Sequence, residues 1–363
     1  MLTGVRYEAT ATEGLGALVD TSAVWARNAN GTFVRNAAGL RIRRADAGAV
    51  SSMEQLRLTH QERNYRADRG YGGYYPSLHV TYNVAENLIG RAAWAQTYGR
   101  PNLNNLIPTA QVDEADLDAA QLGDPSIVKG NITVTNTGLR PWSADNYDFA
   151  LEYYSKGGGL FSAGVFRKDI KNFFANTVRI ANAADLEAFG LDPRYLGWRV
   201  STQINGGSAR VYGIEFNVRQ SLRELGAWGR TASVFTNGTK LRLEGESTAA
   251  FNAFTPESLN WGFSYTRRPA TFMAKWNYRG KRSLGAQPAL GTDAFEYDDR
   301  RLTLDLNLDI ELKKRLQFYV AAQNVFNTRA ITMRYGSATP DYAKIYLTGA
   351  NGVGLTMGLK GSF

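Results

Sequence analysis

Hydrophobic and polar residues alternate along much of this chain. Between Leu302 and Leu312 aliphatic residues occupy every second position, and the positions between them are Thr303, Asp305, Asn307, Asp309 and Glu311. Successive side chains of a strand point to opposite faces of a sheet, so a period of two predicts a strand with one apolar and one polar face. The same alternation recurs around Val80, Leu151, Phe216, Phe263, Ala274, Val320 and Met357. We therefore predict an all-β fold of about twelve strands.

The connections between these strands alternate in length. Short turns are predicted near 85–87, 155–159, 223–229, 267–269 and 313–314, and long polar segments near 13–74, 99–145, 171–207, 240–256, 280–300 and 325–351. Outer-membrane barrels have short periplasmic turns and long external loops, whereas soluble β-sandwiches mix their loop lengths. The pattern predicts a transmembrane antiparallel up-and-down β-barrel over residues 1–363, with the long segments as external loops.

The polar faces of the predicted strands should line an aqueous lumen. Six charged residues on these faces are candidates for contact with a passing ligand: Glu152, Glu215, Arg219, Lys275, Asp305 and Asp309. A water-filled barrel interior is also polar for structural reasons alone. The sequence leaves both interpretations open.

Composition and charge narrow the function further. The net charge is +9, but the basic residues are scattered in short groups such as Lys313-Lys314-Arg315, without the basic helical face of a nucleic-acid-binding protein. We predict no nucleic-acid partner. No apolar run approaches the ~18 residues of a transmembrane helix.

The chain has few residues of the types that catalytic, metal and cofactor sites commonly use. Cysteine is absent, and His60 and His79 are the two histidines. His79 alternates with apolar neighbours, which favours a solvated lumen residue over a catalytic base. The glycine groups at 157–159 and 206–207 lack the Gly-Lys-Ser/Thr that phosphate binding requires. We therefore predict no enzyme activity, no cofactor and no metal site.

An acidic group interrupts one predicted external loop. It consists of Asp113, Glu114, Asp116 and Asp118. Carboxylates at such spacing can hold calcium, but the glycine of an EF-hand loop is missing. A solvated loop is the favoured interpretation, and the cation alternative stays open.

The two chain ends carry separate signals. The first residues already have a strand pattern, without the basic start, apolar core and cleavage site of a secretory leader. The expectation is a truncated N-terminus, with Met1 as an internal methionine or an artefact of gene calling. The last predicted strand presents Met357, Leu359 and Phe363 on one face. A terminal aromatic after such a strand is similar to the signal that the outer-membrane barrel assembly machinery recognises.

Several segments, in order along the chain, resemble one known family. They are Gly4-Val5-Arg6-Tyr7-Glu8, Tyr75-Pro76-Ser77-Leu78, Arg91-Ala92-Ala93-Trp94, Arg100-Pro101-Asn102-Leu103, Leu139-Arg140-Pro141, Ser143-Ala144-Asp145-Asn146-Tyr147-Asp148, Val211-Tyr212-Gly213-Ile214-Glu215-Phe216 and Gln323-Asn324-Val325-Phe326-Asn327. Together they resemble the TonB-dependent receptors of bacterial outer membranes, over nearly the whole chain.

The resemblance implies a fold, a location and partners. In that family a barrel of about twenty-two strands encloses an N-terminal plug, and a TonB complex acts on a short box ahead of the plug. This chain then corresponds to the C-terminal part of the barrel, a partial barrel without plug or TonB box. The implied partners are outer-membrane lipid and lipopolysaccharide, the barrel assembly machinery, and the TonB complex through the missing N-terminal region.

Three functions remain after this resemblance, of which a soluble β-sandwich or propeller binding module is disfavoured by the strict alternation of short and long loops. The first is energy-coupled uptake of a scarce nutrient such as a ferric siderophore, cobalamin or a carbohydrate. The alternative is a complete small outer-membrane barrel that acts as a passive pore or a surface enzyme, since closed barrels of about twelve strands exist. The sequence does not identify the transported ligand.

Overall fold

A computed structural model describes residues 1–245, 254–287, 290–291 and 293–361, without the side chains at 62–65. Within this part of the chain the strands are β1 (Leu2–Asp20), β2 (His60–Ala85), β3 (Leu88–Gly99), β4 (Ala110–Glu114), β5 (Gly130–Val134), β6 (Trp142–Ser155), β7 (Gly159–Ile180), β8 (Arg199–Ser221), β9 (Ala232–Gly245), β10 (Glu257–Arg267), β11 (Ala270–Arg279), β12 (Arg282–Ala286), β13 (Phe295–Asp298), β14 (Arg301–Lys313), β15 (Leu316–Gln323), β16 (Ala330–Tyr335), β17 (Ile345–Gly349) and β18 (Gly354–Gly361).

The described helices are short and lie in the connections. They are α1 (Met53–Thr59), α2 (Ala119–Gly123) and α3 (Ala183–Ala188). Single 3₁₀ turns lie at Thr21–Val24, Ala45–Ala47, Leu103–Leu106, Pro193–Tyr195, Arg223–Leu225, Gly229–Thr231 and Asp341–Ala343. None of the described helices is long and apolar enough to cross a membrane.

The main sheet is an antiparallel meander. It contains 14 strands, and twelve remain when the two short loop strands β4 and β5 are set aside. Each of these twelve pairs antiparallel with the next one along the chain, from β1 and β2 to β15 and β18. The all-β, up-and-down prediction is confirmed. No pairing of β1 with β18 occurs among the described residues, so the barrel is partial.

Short and long connections alternate strictly, as predicted. The short ones are 86–87, 156–158, 222–231, 268–269 and 314–315; the long ones are 21–59, 100–141, 181–198, 246–256, 280–300 and 324–353. All short turns therefore lie at one end of the meander and all long loops at the other.

The predicted loop boundaries require correction. The predicted loops 13–74 and 171–207 are too wide, because β1 continues to Asp20, β2 begins at His60, β7 reaches Ile180 and β8 begins at Arg199. The loops 99–145 and 240–256 likewise include strand residues at their ends, and 280–300 and 325–351 contain β12, β13, β16 and β17. In these extensions the period-two contrast is lost, because 60–74 is mostly polar residues and glycine while 14–19 and 173–175 are apolar or glycine at successive positions. The backbone pairing nevertheless continues.

One face of the meander is largely apolar across its middle. The registers place Leu304, Trp276, Trp261, Thr236, Val218, Phe161 and Tyr153 opposite one another in a row across seven strands. Two rows nearer the long loops, Phe149, Val165 and Ile214 are about half exposed, at 49%, 52% and 55%. Exposed apolar surface on this scale suits contact with hydrocarbon and not with water.

Loop strands cover the other face at the long-loop end. The β4–β5 hairpin pairs in parallel with β1 at Leu18↔Ala110 and with β8 at Ile132↔Val200. With these pairings β1, β2, β3, β6, β7, β8, β5 and β4 form a closed ring. A Cβ built on Gly16 would lie 2.1 Å from the Pro108 carbonyl oxygen, which places this loop directly against the polar face of β1.

A second sheet lies in the last two long loops. It contains four strands in the order β12, β13, β16 and β17, all antiparallel. It belongs to the loop region and not to the meander.

Candidate ligand-binding site

The six charged residues predicted to face the lumen all lie on the polar face of the meander. Glu152 is in β6, Glu215 and Arg219 in β8, Lys275 in β11, and Asp305 and Asp309 in β14. Each occupies a position between residues of the apolar face. The described registers place Lys275 opposite Asp305, whereas the others are spread over several strands. They share a face but do not form one cluster.

Glu152 is engaged by its neighbours. Both of its carboxylate oxygens accept hydrogen bonds from the Arg91 guanidinium, at 2.9 and 3.2 Å, and Oε2 also accepts one from the Tyr154 hydroxyl at 3.0 Å. A bidentate pair of this kind fixes the geometry of both side chains. Its observed contacts join β3 to β6.

Asp305 holds the start of the last long loop. Its carboxylate accepts hydrogen bonds from Asn277 Nδ2 at 2.8 Å and from the Asn324 backbone N–H at 3.0 Å. Asn324 is buried and has a positive φ of 54°, a conformation that asparagine adopts more readily than most residues. Its side chain donates to the carbonyls of Thr328 and Gly352. The Gln323–Asn327 segment is thus a structural turn.

Glu215, Arg219 and Asp309 are more open. All three are exposed on the polar face. Their place on that face agrees with the prediction, and contact with a ligand stays a prediction.

A buried hydrophobic cluster lies in segments that the sequence pattern assigns to polar connections. It joins Leu18, Ala110, Val112, Ile132, Val134, Ala181, Leu186, Leu191, Tyr195, Trp198 and Val200. The sequence does contain a weak signal for β4 and β5. Val112 lies between polar residues, and Ile132 and Val134 are apolar residues two positions apart. Each segment is five residues long, too short to stand out from its surroundings.

An open cavity of about 810 Å³ lies beside this cluster. Its wall includes three aromatic residues, Trp25, Tyr195 and Trp198, and four basic residues, Arg27, Arg44, Lys129 and Arg194. Asp20, Asp46 and Glu114 also line it. We call this space the loop cavity; it is formed by residues from five separate segments of the sequence.

Most charges of the loop cavity are paired within the wall. Arg27 Nη1 donates to Glu114 Oε1 at 2.7 Å, and Arg44 pairs with Asp46 at 2.6 Å. The Asp20 carboxylate accepts from the Ser22 N–H and hydroxyl. Neither Lys129 nor Arg194 has an ion pair among the described residues. Arg194 Nη2 donates a hydrogen bond to the Tyr195 hydroxyl at 2.5 Å. With no carboxylate partner, the charges of Lys129 and Arg194 can still pair with an anion that enters the cavity.

The aromatic wall is rigid on one side. Tyr195 and Trp198 are buried, with their rings 5.0 Å apart in an edge-to-face arrangement. The Arg194 guanidinium lies 4.7 Å from the Tyr195 ring centre, within cation–π range. Burial raises the pKa of the Tyr195 hydroxyl above its usual range. The phenol therefore stays neutral, as a hydrogen-bonding group.

The acidic group of the 100–141 loop binds arginines. Asp116 pairs with both Arg35 and Arg41, whose guanidiniums hold the pKa of its carboxyl below the usual range. Asp118 caps α2, where its side chain accepts from the Gln121 N–H. No group of three potential metal-ligating side chains occurs among the described residues. The carboxylates of this loop hold together a folded segment.

The remaining predicted residues are on the expected strands. Met357 and Leu359 are 59% and 64% exposed on the apolar face of β18. Phe363 lies outside the described residues, so the assembly signal stays a prediction. His79 is exposed on the polar face of β2, opposite Ala93.

The fold and the two faces define an integral outer-membrane β-barrel protein with a loop cavity at its long-loop end. Residues 3–325 match the family model described as TonB dependent receptor-like, beta-barrel. The chain therefore belongs to the TonB-dependent receptor β-barrel family, whose members are outer-membrane proteins of Gram-negative bacteria. A search of curated proteins by sequence found no match.

Solved structures share the fold at low sequence identity. A mutant ferric enterobactin receptor of Pseudomonas aeruginosa in complex with enterobactin is 17% identical with a TM-score of 0.56, over 82% of this chain and 42% of that one. The siderophore receptor PirA of Acinetobacter baumannii is 14% identical, with the same coverage and TM-score. The copper transporter OprC is 12% identical, with a TM-score of 0.52 over 92% and 43%. This chain thus spans about two fifths of the length of these structures.

Proposed function

We propose that this chain is the barrel portion of a receptor for energy-coupled uptake, and that it captures an anionic metal chelate of the ferric siderophore type. The observation that carries the proposal is the loop cavity, with its aromatic wall and its two unpaired cations, Lys129 and Arg194. A ferric chelate is anionic and often aromatic, so both features favour it. Cobalamin and carbohydrates carry less negative charge than a ferric chelate, so unpaired cations would attract them less strongly.

The position of the cavity supports the same proposal. It lies at the end of the meander that carries the long loops, which in outer-membrane barrels is the cell exterior. Similar structures include a ferric enterobactin receptor in complex with enterobactin and a ferric citrate transporter. For energy coupling we propose the route that the family uses, through TonB and a plug that precedes the barrel in sequence.

Ligand binding by the purified protein in detergent tests the proposal. The probes are ferric enterobactin and ferric citrate, with cyanocobalamin and maltohexaose as probes of the other nutrient classes. Trp25 and Trp198 line the cavity, so quenching of tryptophan fluorescence reports occupancy. A ferric probe is expected to bind more tightly than the other two.

A double substitution identifies the site. Lys129→Gln with Arg194→Gln should weaken binding of the ferric probe by about tenfold or more, because the anion loses both unpaired cations. Lys314→Gln with Arg315→Gln, in a short turn at the far end, removes the same charge and should leave affinity unchanged. Equal losses in both pairs, or preferred binding of cyanocobalamin or maltohexaose, would overturn the proposal.

A further inference from the structure

The first long loop contains an eight-residue repeat. Its three copies are residues 25–32, 33–40 and 41–48. Each copy has an apolar residue at its second position, an arginine at its third and an alanine at its fifth. The arginines at the third position are Arg27, Arg35 and Arg43. Residues at the same position of different copies can therefore be compared with one another.

The three copies fold into a triangle with approximate threefold symmetry. Backbone hydrogen bonds link them in a closed cycle, from the Ala26 N–H to the Ile42 carbonyl, from Ile42 to Val34, and from Val34 to Ala26, at 2.8 to 2.9 Å. Each copy also closes its turn in the same way, with bonds from Gly31 to Asn28, from Gly39 to Asn36 and from Ala47 to Arg44. We call residues 25–48 the triangular loop.

The third-position arginines share one contact within their own copies. Each guanidinium donates to the carbonyl oxygen four residues further along the chain, which belongs to Gly31, Gly39 or Ala47. Because this contact recurs in all three copies, it is part of the repeat itself. Arg27 is therefore held in place by the triangular loop and does not need a partner outside it.

Arg27 nevertheless has a partner outside the triangular loop. Its Nη1 donates to Glu114 Oε1 at 2.7 Å, and its Nη2 pairs with Glu114 Oε2. Glu114 Oε2 also accepts from the Ser22 hydroxyl at 3.0 Å. Arg27 and Glu114 both line the loop cavity, and their side chains are 34% and 14% exposed. A carboxylate of the protein thus occupies a cation that borders the same space as Lys129 and Arg194.

We propose that Glu114 is a tethered competitor for the anion that enters the loop cavity, and that Arg27 is a further ligand-binding cation. The inference rests on the proposed function and adds a determinant of specificity to it. An anionic oxygen of the ligand offers Arg27 the same chemistry as the Glu114 carboxylate, so one charge-assisted pair replaces another.

The exchange favours a ligand with several anionic oxygens. The displaced carboxylate stays on β4, beside the ligand, and repels it. A ligand that contacts Lys129 and Arg194 as well as Arg27 offsets this repulsion, whereas a single anionic group gains only the pair that it displaces. Glu114 therefore selects against small monoanions.

Glu114→Gln tests the competition, because it keeps the size of the side chain and removes its charge. The probe is ferric citrate, and quenching of tryptophan fluorescence in the purified, detergent-solubilised protein gives its affinity. The affinity should rise by about tenfold, since Arg27 loses its charged competitor. Arg27→Gln, added to Glu114→Gln in the same chain, should cancel this rise.

Asp116→Asn is the matched control. Asp116 lies two residues further along the same segment and pairs with Arg35 and Arg41 of the triangular loop. None of these three side chains is among the described residues that line the loop cavity. The control changes the net charge by the same amount and also removes an ion pair that holds the triangular loop, and it should leave the affinity for ferric citrate unchanged.

Three outcomes would overturn the inference while the proposed function stands. They are an unchanged affinity in Glu114→Gln, an equal rise in Asp116→Asn, and a rise that survives the addition of Arg27→Gln. If the unsubstituted protein binds ferric citrate no more tightly than cyanocobalamin, the proposed function fails and the inference fails with it. Heat-modifiable mobility in gels checks that each variant is folded.

Discussion

Leu306 and Asn307 are neighbours in β14 whose side chains lie on opposite faces of the sheet. Leu306 is opposite Ala274 and Ala322 on the apolar face, and Asn307 is opposite Met273 and Ala321 on the polar face. Leu306 is also near the middle of its strand. The same substitution at these two positions therefore places a side chain either in hydrocarbon or in the aqueous lumen, on nearly the same backbone.

We expect Leu306→Arg to lower the free energy of unfolding of the protein in a phospholipid bilayer by roughly 2–4 kcal/mol. A cation at that depth has no water to solvate it. Asn307→Arg should cost much less, because its side chain extends into water. Denaturant titration in lipid vesicles measures both, and equal effects of the two substitutions would contradict the assignment of the faces.

At the scale of elements, the β4–β5 hairpin organises the loop region. It pairs with both β1 and β8 and supplies Val112, Ile132 and Val134 to the buried loop cluster. The loop cavity lies beside that cluster, so the cavity wall depends on how the hairpin packs. Close packing at Gly16 is one condition for this arrangement.

Gly16→Val should displace the hairpin. The added Cβ would lie 2.1 Å from the Pro108 carbonyl oxygen, and overpacking of this kind costs about 1–3 kcal/mol. Cleavage within 100–141 by a protease added to the folded protein should become faster, and tryptophan fluorescence should change. Gly4→Val is the matched control, because nothing lies within 4 Å of a Cβ at Gly4. Similar protease resistance in both variants would contradict the role of the hairpin.

At the scale of the whole molecule, the apolar face governs where the chain folds. Its exposed residues include Tyr82, Phe149, Val165, Ile214, Leu355 and Met357. Burial of apolar surface is worth about 25 cal/mol per Å², and in water this face has no protein partner among the described residues. Lipid or detergent supplies the missing contact.

We therefore expect a cooperative unfolding transition in detergent micelles or vesicles and none in plain buffer. Circular dichroism and tryptophan fluorescence, followed over a denaturant series under both conditions, make the comparison. An urea-denatured sample diluted into each condition controls for reversibility. Cooperative unfolding without any amphiphile would show that the apolar face packs on protein, and a soluble sheet would replace the barrel.

The meander was predictable from sequence because its information is local. Leu302 to Leu312 alternate without interruption, and the short turns at 86–87, 268–269 and 314–315 lie next to strong alternation. A sheet between lipid and water enforces this period at every position, so each strand can be recognised alone. The same rule placed Glu152, Glu215, Lys275 and Asp305 on the polar face.

The loop region was not predictable in the same way. Residues such as Val112, Ile132, Tyr195 and Trp198 are far apart in sequence and become buried through their contacts with one another. Segments of five residues contain too few alternating positions for a period of two to identify a strand. The sequence also gave no sign that Arg35 and Arg41 neutralise Asp116, or that Asp305 supports the turn at Asn324.

By itself, then, the sequence determined the all-β class, the number and order of the long strands, and which residues face lipid. Each of these follows from the two-sided environment of a transmembrane strand. Tertiary structure decided the β4–β5 closure and the loop cavity with its unpaired Lys129 and Arg194. These features depend on which residues of different strands and loops become neighbours. Contacts between residues so far apart in the sequence produce no periodic pattern along it.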